Sequence, residues 1–113
     1  MGALPIFVSQ RRGDAFQRNG GGLFAIDSEA AKDHQIQNLY NHEMLRVCRS
    51  LKANCIDLAG QINLSETDFF DWIHTTPSGS DKIAVFLFDR LQEVVRDQLL
   101  YRKTNPNPGA AKR

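Results

Sequence analysis

An aspartate and a histidine three residues apart, Asp71 and His74, are the pair in this sequence best suited to chemistry. In a single turn that spacing brings both side chains to one side. The carboxylate then accepts a hydrogen bond from the imidazole Nδ1–H, which fixes the tautomer and leaves Nε2 free to take a proton from a hydroxyl. The same carboxylate stabilises the imidazolium once the proton has moved. Taken alone, an Asp–His pair is also what ordinary surface pairing produces, so the surrounding pattern must carry the assignment.

Two short apolar runs predict the strands that position this pair. Ile6-Phe7-Val8, after Pro5, reads as a buried strand over 6–9, and Cys55-Ile56-Asp57-Leu58 as a second over 55–58. Between them the chain first turns polar, from Gln10 to Asp27, and Gly20-Gly21-Gly22 allows almost any backbone conformation there. That stretch reads as a long mobile loop. A helix follows over 28–52, capped by Asp27 or Ser28 and stopped near Asn54. Ile36, Tyr40, Met44, Val47, Cys48 and Leu51 make its apolar stripe. Strand, helix and strand in this order form a βαβ unit with a right-handed crossover.

Asp71 and His74 fall in the irregular connection that follows the second strand. Open α/β sheets build their sites there, beyond the carboxyl ends of the strands. A last helix over 77–101 is expected, with Thr76 as N-cap and Pro77 in the first helical position. Ser78 with Asp81 offers a competing capping box. Ile83, Leu87, Leu91, Val94 and Val95 would be its buried face, with Asp89, Arg90, Glu93 and Arg96 toward water. Residues 104–113 read as a flexible tail, leaving 1–103 as the folded part. Two parallel strands do not make a self-sufficient sheet, because their faces and edges stay uncovered. The chain is therefore expected to be part of a larger α/β layer, poorly stable alone or self-associating through the uncovered sheet edge.

The longer pattern Asp71-Trp72-Ile73-His74-Thr75-Thr76-Pro77-Ser78-Gly79, running on to Ile83-Ala84 and Leu87, resembles the last conserved block of the SGNH/GDSL-type serine ester hydrolases. Upstream, Ile6-Phe7-Val8-Ser9-Gln10 is similar to that family's strand ending in a Ser/Thr-Gln pair. Leu39-Tyr40-Asn41 is similar to the helix segment preceding a strand that ends in Asp-Leu, here Asp57-Leu58. The resemblance runs in order over about residues 5 to 100. It implies a flavodoxin-like α/β/α sandwich with a parallel sheet, present here as its C-terminal part. It also implies acyl-ester hydrolysis through a Ser-His-Asp triad, with His74 as general base then acid and Asp71 as its orienting partner. The substrate would be a small-molecule or O-acylated carbohydrate ester, and no cofactor or metal is called for.

The chain departs from the family where the nucleophile should be. It contains no Gly-Asp-Ser; Gly13-Asp14-Ala15 has alanine in place of the hydroxyl and is separated from its strand by Arg11 and Arg12. It has no Gly-x-Asn-Asp either, so the glycine and asparagine oxyanion donors are absent. Each such donor is worth about 3 kcal/mol of transition-state stabilisation. The alternatives are a non-catalytic interaction module and a metal-assisted hydrolase using Asp71, His74 and another histidine.

The remaining features exclude more than they assign. A formal charge of +1, from 14 basic and 13 acidic residues, gives no electrostatic footprint for nucleic acid or an anionic membrane. No signal peptide is visible at the N-terminus, and no apolar run approaches membrane-spanning length, so a soluble chain is expected. Cys48 and Cys55 match no zinc spacing and no disulfide framework, and read as small buried hydrophobes. His34 and His42 read as solvated helix residues. Arg11, Arg12 and Arg18 read as a solvated loop, with an acid-binding role as the rarer option. Trp72, Phe69 and Phe70 flank the Asp–His pair as pocket wall or core.

Overall fold

The computed structural model describes residues 4–18 and 20–104. The tail assigned to 104–113 lies outside the described residues except for Thr104, which closes the last helix. The fold is mixed α/β. Strand β1 (Ile6–Val8) and strand β4 (Asn54–Ile56) pair in parallel, in the register Ile6 to Asn54, Phe7 to Cys55 and Val8 to Ile56. Helix α1 (Ser28–Ser50) links them, as the strand–helix–strand reading expects. The β4 strand stops one residue before Asp57, because the Asp57 carboxylate turns back to accept from Gly60 N–H at 3.1 Å and caps the single helical turn α2 (Leu58–Gln61).

The stretch read as a mobile loop contains a second sheet. Strand β2 (Ala15–Gln17) and strand β3 (Leu23–Ala25) form an antiparallel hairpin that pairs Phe16 with Phe24, their rings 5.0 Å apart. Gly20 turns the connection with φ +68°, a left-handed conformation that favours glycine. Three-residue strands are too short for a period-2 pattern to register. The trace they leave in the sequence is a pair of phenylalanines eight apart around a glycine run. Ala15 and Phe16 are buried and, with Ala30, Leu45, Cys48, Ile56, Leu58 and Leu64, form the core between α1, the hairpin and β4.

Helix α1 starts as expected: Asp27 accepts from Ala30 N–H at 2.7 Å. It ends earlier than Asn54. Leu51 is the cap, and Lys52 takes φ +55°, a left-handed stop usually given to glycine. The reversal brings Cys48, in the last turn, to Cys55 in β4, and the two form a disulfide across a Cα–Cα distance of 6.1 Å. The reading of both cysteines as unlinked hydrophobes is therefore corrected. A cysteine on each side of one tight helix-to-strand turn forms neither a multi-bridge framework nor a metal spacing, yet the turn brings the two together. Closing so short a loop is worth about 2.5 kcal/mol in chain entropy. Adding a reductant should lower the urea midpoint correspondingly, and an unchanged midpoint would mean the Lys52 turn alone fixes this corner.

The apolar stripe of α1 is not its buried face. Ile36, Tyr40, Val47 and Leu51 are exposed; of the residues read as the stripe Cys48 is buried, and it packs inward with Ala30 and Leu45 from the stripe's edge. Helix α3 (Pro77–Thr104) departs from expectation in the same way. Ile83, Leu87 and Val94 are only half covered, Leu91 and Val95 are exposed, and Gly79 is the helix's one buried position among the described residues. Its main contact is with the 3-10 turn Glu66–Asp68. No described helix is long and apolar enough to cross a membrane.

Candidate active site

The loop between the 3-10 turn and α3 closes on itself around Asp71 and His74. Phe69 and Thr75 form an antiparallel bridge, and Phe70 N–H donates to the His74 carbonyl at 2.8 Å. Inside this ring Asp71 Oδ1 accepts from the backbone N–H groups of Ile73 (2.9 Å) and His74 (2.7 Å). That leaves Oδ2 facing His74 Nδ1 at 2.7 Å. The two side chains named from their spacing thus meet, and the backbone fixes which carboxylate oxygen serves the imidazole. The His74 side chain is 74% exposed, so its far nitrogen is open to a reacting group.

The backbone donors of His74 and Ile73, then the imidazole itself, hold the Asp71 pKa at about 2, below the ordinary carboxylate value. Asp71 is therefore ionised at any pH above about 3. A carboxyl titration followed by NMR should find its midpoint near 2, and an acid limb in any rate profile above pH 4 belongs to another group.

Asp68, which the sequence reading did not single out, anchors the loop. Its side chain is 1% exposed and accepts from Lys82 Nζ (2.9 Å), Ser65 N–H (2.9 Å) and Ser78 Oγ (3.0 Å). Burial pushes its pKa up, but Lys82, the Ser65 N–H and the Ser78 hydroxyl outweigh it and hold the group at about 2. Thr76 N–H donates to the Asp68 carbonyl at 2.9 Å, and Thr76 Oγ1 caps α3 by accepting from Gly79 N–H at 3.2 Å. Ser78 is thereby tied to Asp68, which answers the competing capping box. A Cβ at Gly79 would lie 2.2 Å from the Asp68 carbonyl oxygen, so only glycine lets the helix start this close. Asp68, three before Asp71, leaves no mark in the sequence that separates it from any other loop acid.

The loop is also docked on the segment between β1 and β2. Gly13 N–H donates to the Trp72 carbonyl at 3.0 Å, and a Cβ at Gly13 would strike Phe69 Cγ at 2.3 Å and the Asp71 carbonyl at 2.5 Å. Arg12 lays its guanidinium 4.9 Å from the Trp72 ring centre. Phe69 is half-buried in this contact, while Phe70 is exposed, so of the two phenylalanines only Phe69 packs.

Arg11 and Arg12 are not solvated loop residues, whereas Arg18 is half exposed as expected, and Arg11 keeps one buried guanidinium nitrogen, Nη1, without a hydrogen-bond partner. Arg12 pairs with Asp14 at 2.8 Å and lies 3.7 Å from Asp33. Arg18 faces Glu66 and the Phe24 ring. Arg11 covers the Phe16 ring at 4.3 Å and donates to the Leu64 carbonyl at 2.8 Å. They hold the hairpin to the rest of the fold.

The three upstream segments of the family resemblance converge at the carboxyl ends of the parallel strands. Ser9 Oγ donates to Asp57 Oδ1 at 2.8 Å and accepts from Ala59 N–H at 2.9 Å. Gln10 and Asn41 exchange two hydrogen bonds, Gln10 N–H to Asn41 Oδ1 at 3.0 Å and Asn41 Nδ2 to the Gln10 carbonyl at 2.7 Å. A cavity of about 370 Å³ opens beside this clasp, lined by Gln10, Gln17, His34, Gln37, Asn41 and Asp57 among others. His34 is half-buried there, its Nε2 3.1 Å from Asn38 Nδ2, and burial holds its pKa below the ordinary imidazole value. His34 is thus less solvated than its sequence suggested. Among the described residues no three His, Cys, Asp or Glu side chains group closely enough to hold a metal ion.

Five of the six serine hydroxyls are engaged elsewhere: Ser9 with Asp57, Ser50 with the Val47 carbonyl, Ser65 with Thr67 and Asp68, Ser78 with Asp68, and Ser80 with Thr75. No protein-family model, curated protein or solved structure matches the chain.

Proposed function

We propose that this chain is the C-terminal part of an SGNH/GDSL-type ester hydrolase and supplies the Asp–His half of its catalytic triad. The observation that carries the reading is the 2.7 Å contact between His74 Nδ1 and Asp71 Oδ2, with the imidazole exposed on its other side. In that arrangement His74 Nε2 takes the proton from a serine as it attacks the ester carbonyl. The imidazolium, stabilised by Asp71, then returns the proton to the leaving alcohol, and water releases the acyl group by the same exchange. The serine comes from a Gly-Asp-Ser segment outside this chain.

The fold supports this assignment by what it leaves open. Ile36, Tyr40 and Met44 of α1 and Val8 of β1 border an open groove of about 570 Å³. The further strands and helix of a flavodoxin-like layer would cover such a groove, and the exposed stripe of α1 then becomes a buried one. The polar cavity at the carboxyl ends of the strands suits a hydroxylated substrate, in keeping with an O-acylated carbohydrate. The Cys48–Cys55 disulfide suits an oxidising compartment.

With p-nitrophenyl acetate the 113-residue chain should turn over no faster than its His74→Ala form. An acyl-enzyme burst that His74→Ala removes would place a nucleophile within this chain and end the half-site reading. The uncovered apolar face of α3 favours a second reading, an interaction module without catalysis, and equal ester turnover by chain and variant is also what that reading expects. The two part when the upstream segment is supplied.

A further inference from the structure

We propose that α3 pairs with α3 of a second copy of this chain in an antiparallel two-helix coiled coil. From Val85 the residues Val85, Phe88, Gln92, Val95, Leu99 and Arg102 recur at alternating steps of three and four, which is the a/d spacing of a coiled-coil seam. Val85, Phe88, Val95 and Leu99 are each more than half exposed, so the seam is uncovered within its own chain. The helix is held mainly at its start, by Lys82 and Ser78 on Asp68 and by its packing on the 3-10 turn. The seam lies beyond that anchor, and at 1.5 Å per residue it runs about 25 Å.

Charge selects a second copy, and selects its direction. Asp89 and Arg96 occupy successive e positions beside the seam, and neither has an ion-pair partner among the described residues. In an antiparallel pair, e positions face e positions. Asp89 then meets the second copy's Arg96 and, by the twofold symmetry, Arg96 meets its Asp89. The same register stacks Phe88 on the second copy's Leu99, Gln92 on its Val95, and Val85 on the aliphatic stem of its Arg102. A parallel pair would set Gln92 on Gln92 and Arg102 on Arg102 in the seam, and would place Arg96 beside Leu91. Antiparallel helices also align their dipoles favourably. This contact is distinct from association through the edge of β1, and it does not depend on the ester hydrolase reading.

The test is light scattering coupled to size exclusion on the full 113-residue chain between about 1 and 200 µM, with far-UV circular dichroism to confirm unchanged folding. The wild-type chain should move from its 12.8 kDa mass toward twice that as concentration rises. Leu99→Lys should leave it monomeric throughout. Asp89→Lys and Arg96→Glu should each raise the dissociation constant about tenfold by setting like charges face to face, and the double exchange should return it to within about threefold of wild type. A chain that stays monomeric at 200 µM, or a dimer indifferent to Leu99→Lys, would overturn the proposal. So would charge reversals whose effects add instead of cancelling, since these would assign association to another face.

Discussion

Joined in frame behind a segment that carries a Gly-Asp-Ser strand-turn, this chain should complete an esterase whose kcat/KM falls about 10⁴-fold on His74→Ala, roughly 5.5 kcal/mol of barrier. Asp71→Asn should cost a comparable factor for a more particular reason. Asp71 Oδ1 is committed to the N–H groups of Ile73 and His74, which leaves only the other terminal atom to face His74 Nδ1. In the asparagine variant the carbonyl oxygen keeps the two backbone donors, so the amide nitrogen faces the ring and donates to it. His74 then carries its proton on Nε2 and has nothing with which to accept one from a serine. The loop should keep its shape, because the bridge between Phe69 and Thr75 and the backbone bonds are untouched. Steady-state kinetics with circular dichroism as control would decide the matter. A loss below tenfold for either variant, with the fold intact, would leave Asp71 and His74 a structural pair and favour the interaction module.

Features written in a few adjacent residues were legible, and most features made by distant ones were not. Asp71 and His74 sit within one turn, so their spacing predicted their contact. Asp27 and Thr76 cap helices through a backbone N–H three residues on, and both caps were readable for that reason. The parallel pairing of β1 with β4 followed from two apolar runs separated by a helix. By contrast, the Phe16–Phe24 hairpin rests on strands too short to show a period, and three arginines that look solvated in the sequence are held by acids and rings brought from elsewhere.

The stripes were legible as patterns but misleading as burial. Periodicity in Ile36, Tyr40 and Met44 says that the face belongs against something, and it does not say that the covering element is in the same chain. On α1 the packing is done at the stripe's edge, by Cys48 of the stripe with Ala30 and Leu45 beside it. The same distinction separates the seam of α3 from a core. Asp68 was illegible for another reason: its importance comes from Lys82, fourteen residues on, and from the close approach that Gly79 permits.

Replacing Asp68 with alanine should therefore unfasten the loop from α3 although Asp68 touches neither Asp71 nor His74 in the bonds described. The change removes three acceptor contacts to a buried carboxylate, those from Lys82, Ser65 and Ser78, at a cost of about 3 kcal/mol. For a chain of this size that lowers the melting temperature by roughly 10 °C or more. Lys82 is half exposed and can rehydrate, so the loss reflects the missing bonds and not a stranded charge. The acid response gives an independent check. Asp68 has a folded pKa of about 2 against an ordinary value of 3.8, so its contribution is complete above about pH 4 and is lost as the pH falls from there through 2. Wild type should lose melting temperature over that interval. Asp68→Ala should lose less, with Asp71, depressed in the same range, supplying part of what remains. Asp68→Asn should lie between the two, since it keeps an acceptor for Ser65 or Ser78 and gives up the ion pair. A melting temperature for Asp68→Ala within 2 °C of wild type, or an acid response unchanged from it, would show that the 3-10 turn and the Thr76 cap hold α3 without the carboxylate.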